Sequence, residues 1–215
     1  MEDLEKLLPY VESRGRTVTA RGSEETICDP LQEDLRLMSL TLSAGQDSDL
    51  QQRSRTLSHY VELVARKTCP MTAFAISAGV RVAGAEAAAV EAARLCGHHI
   101  GFLIQLLDDL EAATHSTHHE FGSGHGLTFP VLVAMEAAPE LAEALVVKAT
   151  APDPGDIRRE LARLGAGAMM VDLVERHRAK ALECASAFDR QGFVEVWLRW
   201  VLRDVEPLGS KLDGV

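Results

Sequence analysis

Apolar residues recur three or four positions apart along most of the chain, and no segment alternates between apolar and polar residues as a half-buried strand would. The pattern predicts a short helix over residues 2–14. Further helices are predicted over 30–53, 57–68, 71–83 and 86–114, then a short apolar helix starting near Pro130, and over 138–148, 155–164, 166–190 and 191–204. The last is expected to place Trp197 and Trp200 on its packing face. With no repeat and no linker between them, these elements predict a single all-α domain over residues 1–215.

The longest predicted helix, over residues 86–114, is apolar on nearly every side and ends with two adjacent aspartates, Asp108 and Asp109. Five of its residues fall on one stripe at helical spacing: Gly97, Gly101, Gln105, Asp108 and Ala112. Two glycines followed by two polar residues indicate a close helix-packing surface that ends as a polar pocket wall. The alternative is that the aspartate pair ends an amphipathic helix in water.

Pro70 interrupts the helical pattern directly after Lys67 and Thr68. A proline inside a helix removes a donor and opens the preceding turn. The sequence therefore predicts a helix break that directs Lys67 toward the neighbouring element. The alternative is an ordinary solvated lysine near a helix end.

Composition narrows the class of protein. Apolar residues make up 47% and charged residues 25% of the 215 positions, as in ordinary globular proteins. The net charge of −10 argues against a nucleic-acid surface, which needs clustered Lys and Arg. The four cysteines form no CxxC pair, so we expect small buried thiols in a reducing compartment. With an acidic N-terminal stretch and no apolar span, we expect a cytoplasmic protein.

Four short motifs in a fixed order carry a resemblance to a known family. They are AGQDSD at 44–49, the Lys67-Thr68 pair, QLLDD at 105–109 and GHGLTFP at 124–130. Their order and spacing resemble the trans-prenyltransferases, or polyprenyl diphosphate synthases, in which a GQxxD helix precedes a K-T helix break, a FQxxDDxxD helix end and a GKxTxP loop. The matching positions are Gly45, Gln46, Asp49, Lys67, Thr68, Gln105, Asp108, Asp109, Thr128 and Pro130. The resemblance implies an isoprenoid-synthase-type helical bundle.

Members of this family ionise an allylic diphosphate, and a homoallylic alkene then attacks the allylic cation. Departure of the diphosphate needs positive charge, which Mg²⁺ on carboxylates and basic side chains can supply. The resemblance implies Lys67, Asp108 and Asp109 as catalytic residues, with Lys67 contacting the diphosphate. Asp108 would hold Mg²⁺, with Asp109 beside it.

The resemblance also implies a set of substrate-binding residues: Gln46, Lys67, Thr68, Gln105 and His125, the last in place of the loop lysine. Phe74 and Phe102 could wall a prenyl-chain tunnel, although we expect them to be ordinary core residues.

The sequence also departs from the family pattern. Residues 1–43 contain no DDxxD, so the chain resembles about the C-terminal two-thirds of the fold and lacks the first helices. Ala112 stands where the second motif has its last aspartate, and the loop lysine is replaced. We therefore expect that a site for three Mg²⁺ ions cannot be built from this chain alone.

Residues on the central helix could compensate for the incomplete magnesium site. Glu111 and His115 follow Asp108 at i+3 and i+7, so two carboxylates and an imidazole can share one helical face. Such a set could bind Mn²⁺ or another divalent metal in place of the full magnesium cluster. The alternative is a surface Glu–His pair.

Three functions remain open at this point. The first is a noncanonical prenyltransferase of isoprenoid biosynthesis that binds an allylic prenyl diphosphate and completes its site with a partner. The second is a non-catalytic regulatory or binding subunit of a heteromeric prenyl diphosphate synthase, and the third is a compact terpene cyclase-like enzyme. Because the first helices are missing, we expect the central helix to expose apolar faces that a homodimer, or a heteromer with a longer relative, would cover.

Overall fold

A computed structural model describes residues 28–51, 56–115, 128–137 and 154–214. Within these ranges the regular secondary structure consists of helices and contains no strand, which confirms the prediction of an all-α fold. The helices are α1 (Cys28–Gln51), α2 (Leu57–Lys67), α3 (Cys69–Val82), α4 (Ala87–His115), α5 (Phe129–Ala137), α6 (Pro154–Arg163), α7 (Ala166–Ala185), α8 (Phe193–Val201) and α9 (Val205–Leu212). The helices predicted over 2–14 and 138–148 lie outside the described residues.

Helix α4 lies at the centre of the fold and packs most extensively against α3 and α7. Its leucines fill the core, with Leu103, Leu106 and Leu110 each at most 1% exposed. The expectation that this helix exposes broad apolar faces is therefore wrong, because the chain's own helices cover it. Burial of these three leucines contributes about 1.5–3 kcal/mol each to the stability of the fold.

The glycines of the α4 stripe form the predicted packing surface. A Cβ atom at Gly97 would lie 2.5 Å from the carbonyl oxygen of Thr72, and one at Gly101 would lie 2.6 Å from the Cα atom of Cys69. Contacts this close admit no side chain at either position. The two glycines therefore hold the start of α3 directly against the backbone of α4.

Helices α2 and α3 meet at the predicted break. Helix α2 ends at Lys67, Thr68 lies between the helices, and Pro70 occupies the first turn of α3, where its missing N–H costs nothing. At the other end of α2, the Thr56 hydroxyl accepts a hydrogen bond from the backbone N–H of His59 at 3.3 Å.

The C-terminal helices differ from the sequence prediction in the end of α7, in the presence of α9 and in the face that α8 buries. Helix α7 ends at Ala185, before 190. The Asp189 carboxylate lies beyond this end and accepts a 2.6 Å hydrogen bond from the backbone N–H of Val194 in the first turn of α8. Helix α9 was not predicted, since its Pro207 reads as a helix breaker although it lies in the first turn. The packing face of α8 carries Leu198, which is fully buried.

Trp197 and Trp200 were predicted to pack inward, and this is wrong. They are 41% and 63% exposed, and they lie on the outer face of α8. In an amphipathic helix of nine residues, either face can look apolar from the sequence, so the tryptophans were assigned to the wrong one. In the described ranges, no helix is both long enough and apolar enough to cross a membrane.

Candidate functional site

A chain of side-chain hydrogen bonds joins the last three motifs. The Thr68 hydroxyl donates to Gln105 Oε1 at 3.0 Å, and Gln105 Nε2 donates to Asp109 Oδ1 at 2.9 Å. The other oxygen of Asp109 accepts the backbone N–H of Phe129 at 2.7 Å. One polar path therefore runs from the α2–α3 break, across α4, to the first turn of α5.

Asp109 is the buried member of the aspartate pair, with 5% of its surface exposed. Burial raises the pKa of its carboxyl group, while the hydrogen bonds from Phe129 and Gln105 and the nearby phenol of Tyr60 act in the opposite direction. Its negative charge lies at the N-terminus of α5, where unpaired backbone N–H groups favour an anion. Asp109 therefore acts as a cap that ties α5 to α4.

Tyr60 lies beside this carboxylate. Its ring packs edge-on against Phe129, with 5.5 Å between the ring centroids, and its pKa is raised by burial and by the charge of Asp109. The hydroxyl is close enough to affect the pKa of Asp109, but it is buried without a geometrically defined hydrogen-bond partner among the described residues. The Thr128 hydroxyl is likewise buried without a hydrogen-bond partner among the described residues.

Lys67 and Asp49 join the first two motifs. The Lys67 ammonium forms an ion pair with the Asp49 carboxylate, and the two side chains are 41% and 22% exposed. Gly45 makes this possible, because a Cβ atom there would lie 2.8 Å from the carbonyl group of Arg66. The glycine of the first motif therefore lets α1 approach the end of α2 and brings Asp49 to Lys67.

Asp108 lies on the solvent side of α4. It is exposed, and its pKa is raised by partial burial and by the neighbouring charge of Glu111. The predicted stripe placed Asp108 after Gln105, whereas Asp109 is the residue that Gln105 contacts. Four residues make slightly more than one helical turn, so both positions fit the spacing and only the arrival of α5 separates them.

The remaining predicted residues divide into two groups. Gln46 is described and is exposed on α1, and Phe102 is 7% exposed in the core, as expected. His125 lies outside the described residues, and so does the side chain of His115. The proposed Asp108–Glu111–His115 metal set therefore stays a prediction.

Sequence reasoning missed two contributors to this site, the phenol of Tyr60 and the backbone N–H of Phe129. Tyr60 lies at an apolar position of α2, so the sequence pattern assigns it to the core. Its hydroxyl group was the one indication that a polar group lies nearby. The N–H of Phe129 gives no signal in a sequence. Its position at the start of a helix, one residue before Pro130, was the available indication.

A metal ion at this site would depend on the carboxylates of the described residues. Within the described part of the chain, no three His, Cys, Asp or Glu residues cluster so as to hold one. Magnesium, however, takes only one or two protein carboxylates and completes its shell with water and substrate phosphates. Exposed Asp108, with Glu111 one turn away, fits this requirement for one ion, whereas both oxygens of Asp109 already accept hydrogen bonds.

The chain is similar to a probable mitochondrial hexaprenyl pyrophosphate synthase of Neurospora crassa, with 27% identity over 179 residues. The match covers 78% of this chain and 40% of that relative, so the chain spans less than half of the relative's length.

Solved structures share the fold. A polyprenyl synthase from Caulobacter crescentus, crystallised with calcium and isoprenyl diphosphate, has a TM-score of 0.65 and 24% identity, over 86% of this chain and 58% of that one. A polyprenyl synthase from Roseobacter denitrificans has a TM-score of 0.63 and 21% identity, over 93% of this chain and 66% of that one.

A family model covers the helices that carry the four motifs. The sequence model named Polyprenyl synthetase matches residues 25–161 of the 215, which is more than half of the chain. That range includes both ends of the polar path, Thr68 and Phe129. The chain belongs to the polyprenyl synthetase family.

Proposed function

We propose that the protein binds an allylic prenyl diphosphate and acts as a noncanonical, partner-dependent prenyltransferase of isoprenoid biosynthesis. The observation that carries this proposal is the polar path from Thr68 through Gln105 and Asp109 to Phe129, beside the ion pair of Lys67 with Asp49. Residues from four separate motifs are connected in this way, which a chance resemblance would not produce.

Lys67 is the proposed diphosphate ligand. An ammonium group has three donors, and the ion pair with Asp49 leaves donors for phosphate oxygens. Asp49 holds the long side chain at the helix break, which reduces the entropy lost when an anion binds. With 41% of its side chain exposed, Lys67 is accessible to such a ligand.

Asp108 is the proposed Mg²⁺ ligand, with Glu111 beside it. Bound Mg²⁺ would supply the positive charge that stabilises a departing diphosphate. The carboxylate of Asp108 fits this role because it is exposed and because two neighbouring negative charges favour a cation. Mn²⁺ at the same carboxylates, with His115, is the alternative.

Three of the other predicted site residues hold the helices of the site in place. Thr68 and Gln105 use their hydrogen bonds on each other and on Asp109, so we propose that they fix the helix break relative to Asp108. Asp109 holds α5 in place in the same way. Gln46 on α1 and His125 remain proposed contacts to the substrate.

A partner is part of the proposal because the family resemblance implies a site for three Mg²⁺ ions. The carboxylates of Asp108 and Glu111 fit one ion. The partner would be a longer prenyltransferase-like chain that supplies a further aspartate-rich motif, or a second copy that adds another QLLDD segment. A chain that binds prenyl diphosphate but forms no product with any partner would instead be a binding subunit. A product formed without isopentenyl diphosphate would indicate a terpene cyclase-like reaction.

The test is ligand-dependent thermal stability. In the presence of Mg²⁺, geranyl or farnesyl diphosphate should raise the Tm of the wild type, and Lys67→Ala should abolish the rise. Arg66→Ala is the matched control, because Arg66 is the preceding residue, is exposed and pairs with Glu62 on its own helix. An equal rise in all three proteins, or none in the wild type, would contradict the proposed role of Lys67.

A further inference from the structure

Four aromatic rings meet between α4 and α7, nearly two turns before Gln105 along α4. His98, His99 and Phe102 belong to α4, and His177 belongs to α7. The His177 ring stacks on Phe102, with 4.9 Å between centroids and 24° between planes. This stacking fixes the orientation of the His177 imidazole.

The two imidazoles of His99 and His177 point their Nδ1 atoms at each other, 3.2 Å apart. Without a third atom between them, one Nδ1 must carry a proton and donate it to the other. Burial, before any other cause, lowers the pKa of both rings, and that of His177 falls to about 4. Both rings are therefore neutral at pH 7, which is the form that binds metal ions.

The separation of the two nitrogens matches the geometry of a shared metal ion. Two imidazole nitrogens about 2.0–2.1 Å from one tetrahedral ion lie about 3.3 Å apart. We propose that His99 and His177 bind a transition-metal ion that links α4 to α7, with water at the remaining positions. The ring that carries its proton on Nδ1 shifts it to Nε2, so the net charge of the protein does not change.

The proposed ion is of a different class from Mg²⁺. Imidazole suits Zn²⁺, Cu²⁺ and Ni²⁺, whereas Mg²⁺ prefers oxygen ligands. Of the charged groups near the pair, Lys180 opposes a cation and Glu183 favours it. With two protein ligands, the affinity is below that of structural zinc sites, which have four.

The site has a mechanical consequence. Helix α4 carries Asp108 and Asp109, and its packing against α7 is the main contact between the motif-bearing helices and the C-terminal ones. A metal ion shared by His99 and His177 would bind only when the two helices are packed. Binding therefore stabilises the folded state.

The experiment is thermal unfolding of the full chain with added ZnCl₂ or NiCl₂, after removal of any purification tag. The Tm of the wild type should rise with metal concentration and saturate, and MgCl₂ should have no such effect. His177→Phe keeps an aromatic ring against Phe102 and should abolish the rise. His99→Ala is the second variant, used with circular dichroism to show that each protein is folded.

Two controls separate this site from other histidines. His98→Phe changes the neighbouring ring on α4 and should leave the metal effect intact. A variant with alanine at His115, His118, His119 and His125 removes the histidines around the α4–α5 connection and should also keep it. The proposal is overturned if the wild type shows no rise, if the rise persists in His177→Phe and His99→Ala, or if the four-histidine variant loses it.

Discussion

Asp109 is a carboxylate that the fold uses through its hydrogen bonds, despite the cost of burying it. Its two oxygens accept from Gln105 and from the N-terminus of α5, and burial raises its pKa. A raised pKa means that folding favours the protonated acid. The contribution of this group to stability is therefore greatest at low pH and is lost as the pH rises through the pKa of the folded state.

The raised pKa of Asp109 gives a prediction for the pH dependence of the stability of Asp109→Asn. The amide keeps an acceptor for the Phe129 N–H, and Gln105 can rotate its own amide to donate to Thr68 and accept from the new asparagine. The variant should fold, and its free energy of unfolding relative to the wild type should increase as the pH rises above the ordinary Asp value of 3.8. Urea denaturation from pH 4 to pH 7 measures this difference.

Asp172→Asn on the exposed face of α7 controls for the loss of one negative charge. A free energy of unfolding of Asp109→Asn that falls relative to the wild type as the pH rises would show that the pKa is lowered and that the charge is stabilising. Complete unfolding of Asp109→Asn at every pH would show that the cap on α5 requires the ion itself.

The individual residues also show how much of the site could be identified from the sequence. Lys67, Gln105 and the aspartate pair were found because their types and order resemble a family. The sequence did not show that Asp109 is buried and hydrogen-bonded whereas Asp108 is exposed. This difference depends on where Phe129, twenty residues later, meets α4, and no local pattern encodes that contact.

At the scale of elements, helical periodicity predicted the helices around the core well, because their apolar stripes are long. The glycines of α4 were also interpreted correctly, since a small-residue stripe indicates close packing. Predictions failed at short amphipathic elements. The nine residues of α8 and the eight of α9 carry too few turns to define a face or to outweigh a proline.

Glycine packing gives a prediction at this scale. Gly97→Ala places a Cβ atom 2.5 Å from the Thr72 carbonyl oxygen, so α3 must move away from α4. We expect a loss of about 1–3 kcal/mol in the free energy of unfolding, as for other overpacked cores. Urea denaturation followed by circular dichroism measures it.

Gly79→Ala is the matched control on α3. Nothing lies within 4 Å of the position that a Cβ atom would take there, and alanine is the better helix former, so this variant should gain about 0.5–1 kcal/mol. If both substitutions stabilise the protein, the close contact between α3 and α4 is not present in solution.

At the scale of the whole molecule, apolar surface remains exposed, although it is not where the sequence placed it. The α8 stripe consists of Phe193, Val196, Trp197 and Trp200, which are 69%, 65%, 41% and 63% exposed. Contiguous exposed aromatic and aliphatic side chains are typical of association surfaces. The predicted oligomer therefore stays a prediction, with α8 in place of α4 as its reason.

We expect sedimentation velocity at micromolar concentration to show a dimer or larger species. Replacement of two side chains of the stripe, Val196→Glu with Trp200→Glu, should shift the protein toward monomer, because association would bury both introduced charges. A wild type that sediments as a monomer would contradict self-association and leave a heteromeric partner as the remaining form of the prediction.

We propose that the connected motifs form one site for a prenyl diphosphate and its metal ion. Calorimetric titration of farnesyl diphosphate, with and without Mg²⁺, into the wild type and Asp108→Asn measures this. Mg²⁺ should strengthen binding to the wild type, and Asp108→Asn should lose this dependence while it remains folded. Absence of binding to the wild type, or an equal Mg²⁺ dependence in both proteins, would contradict it.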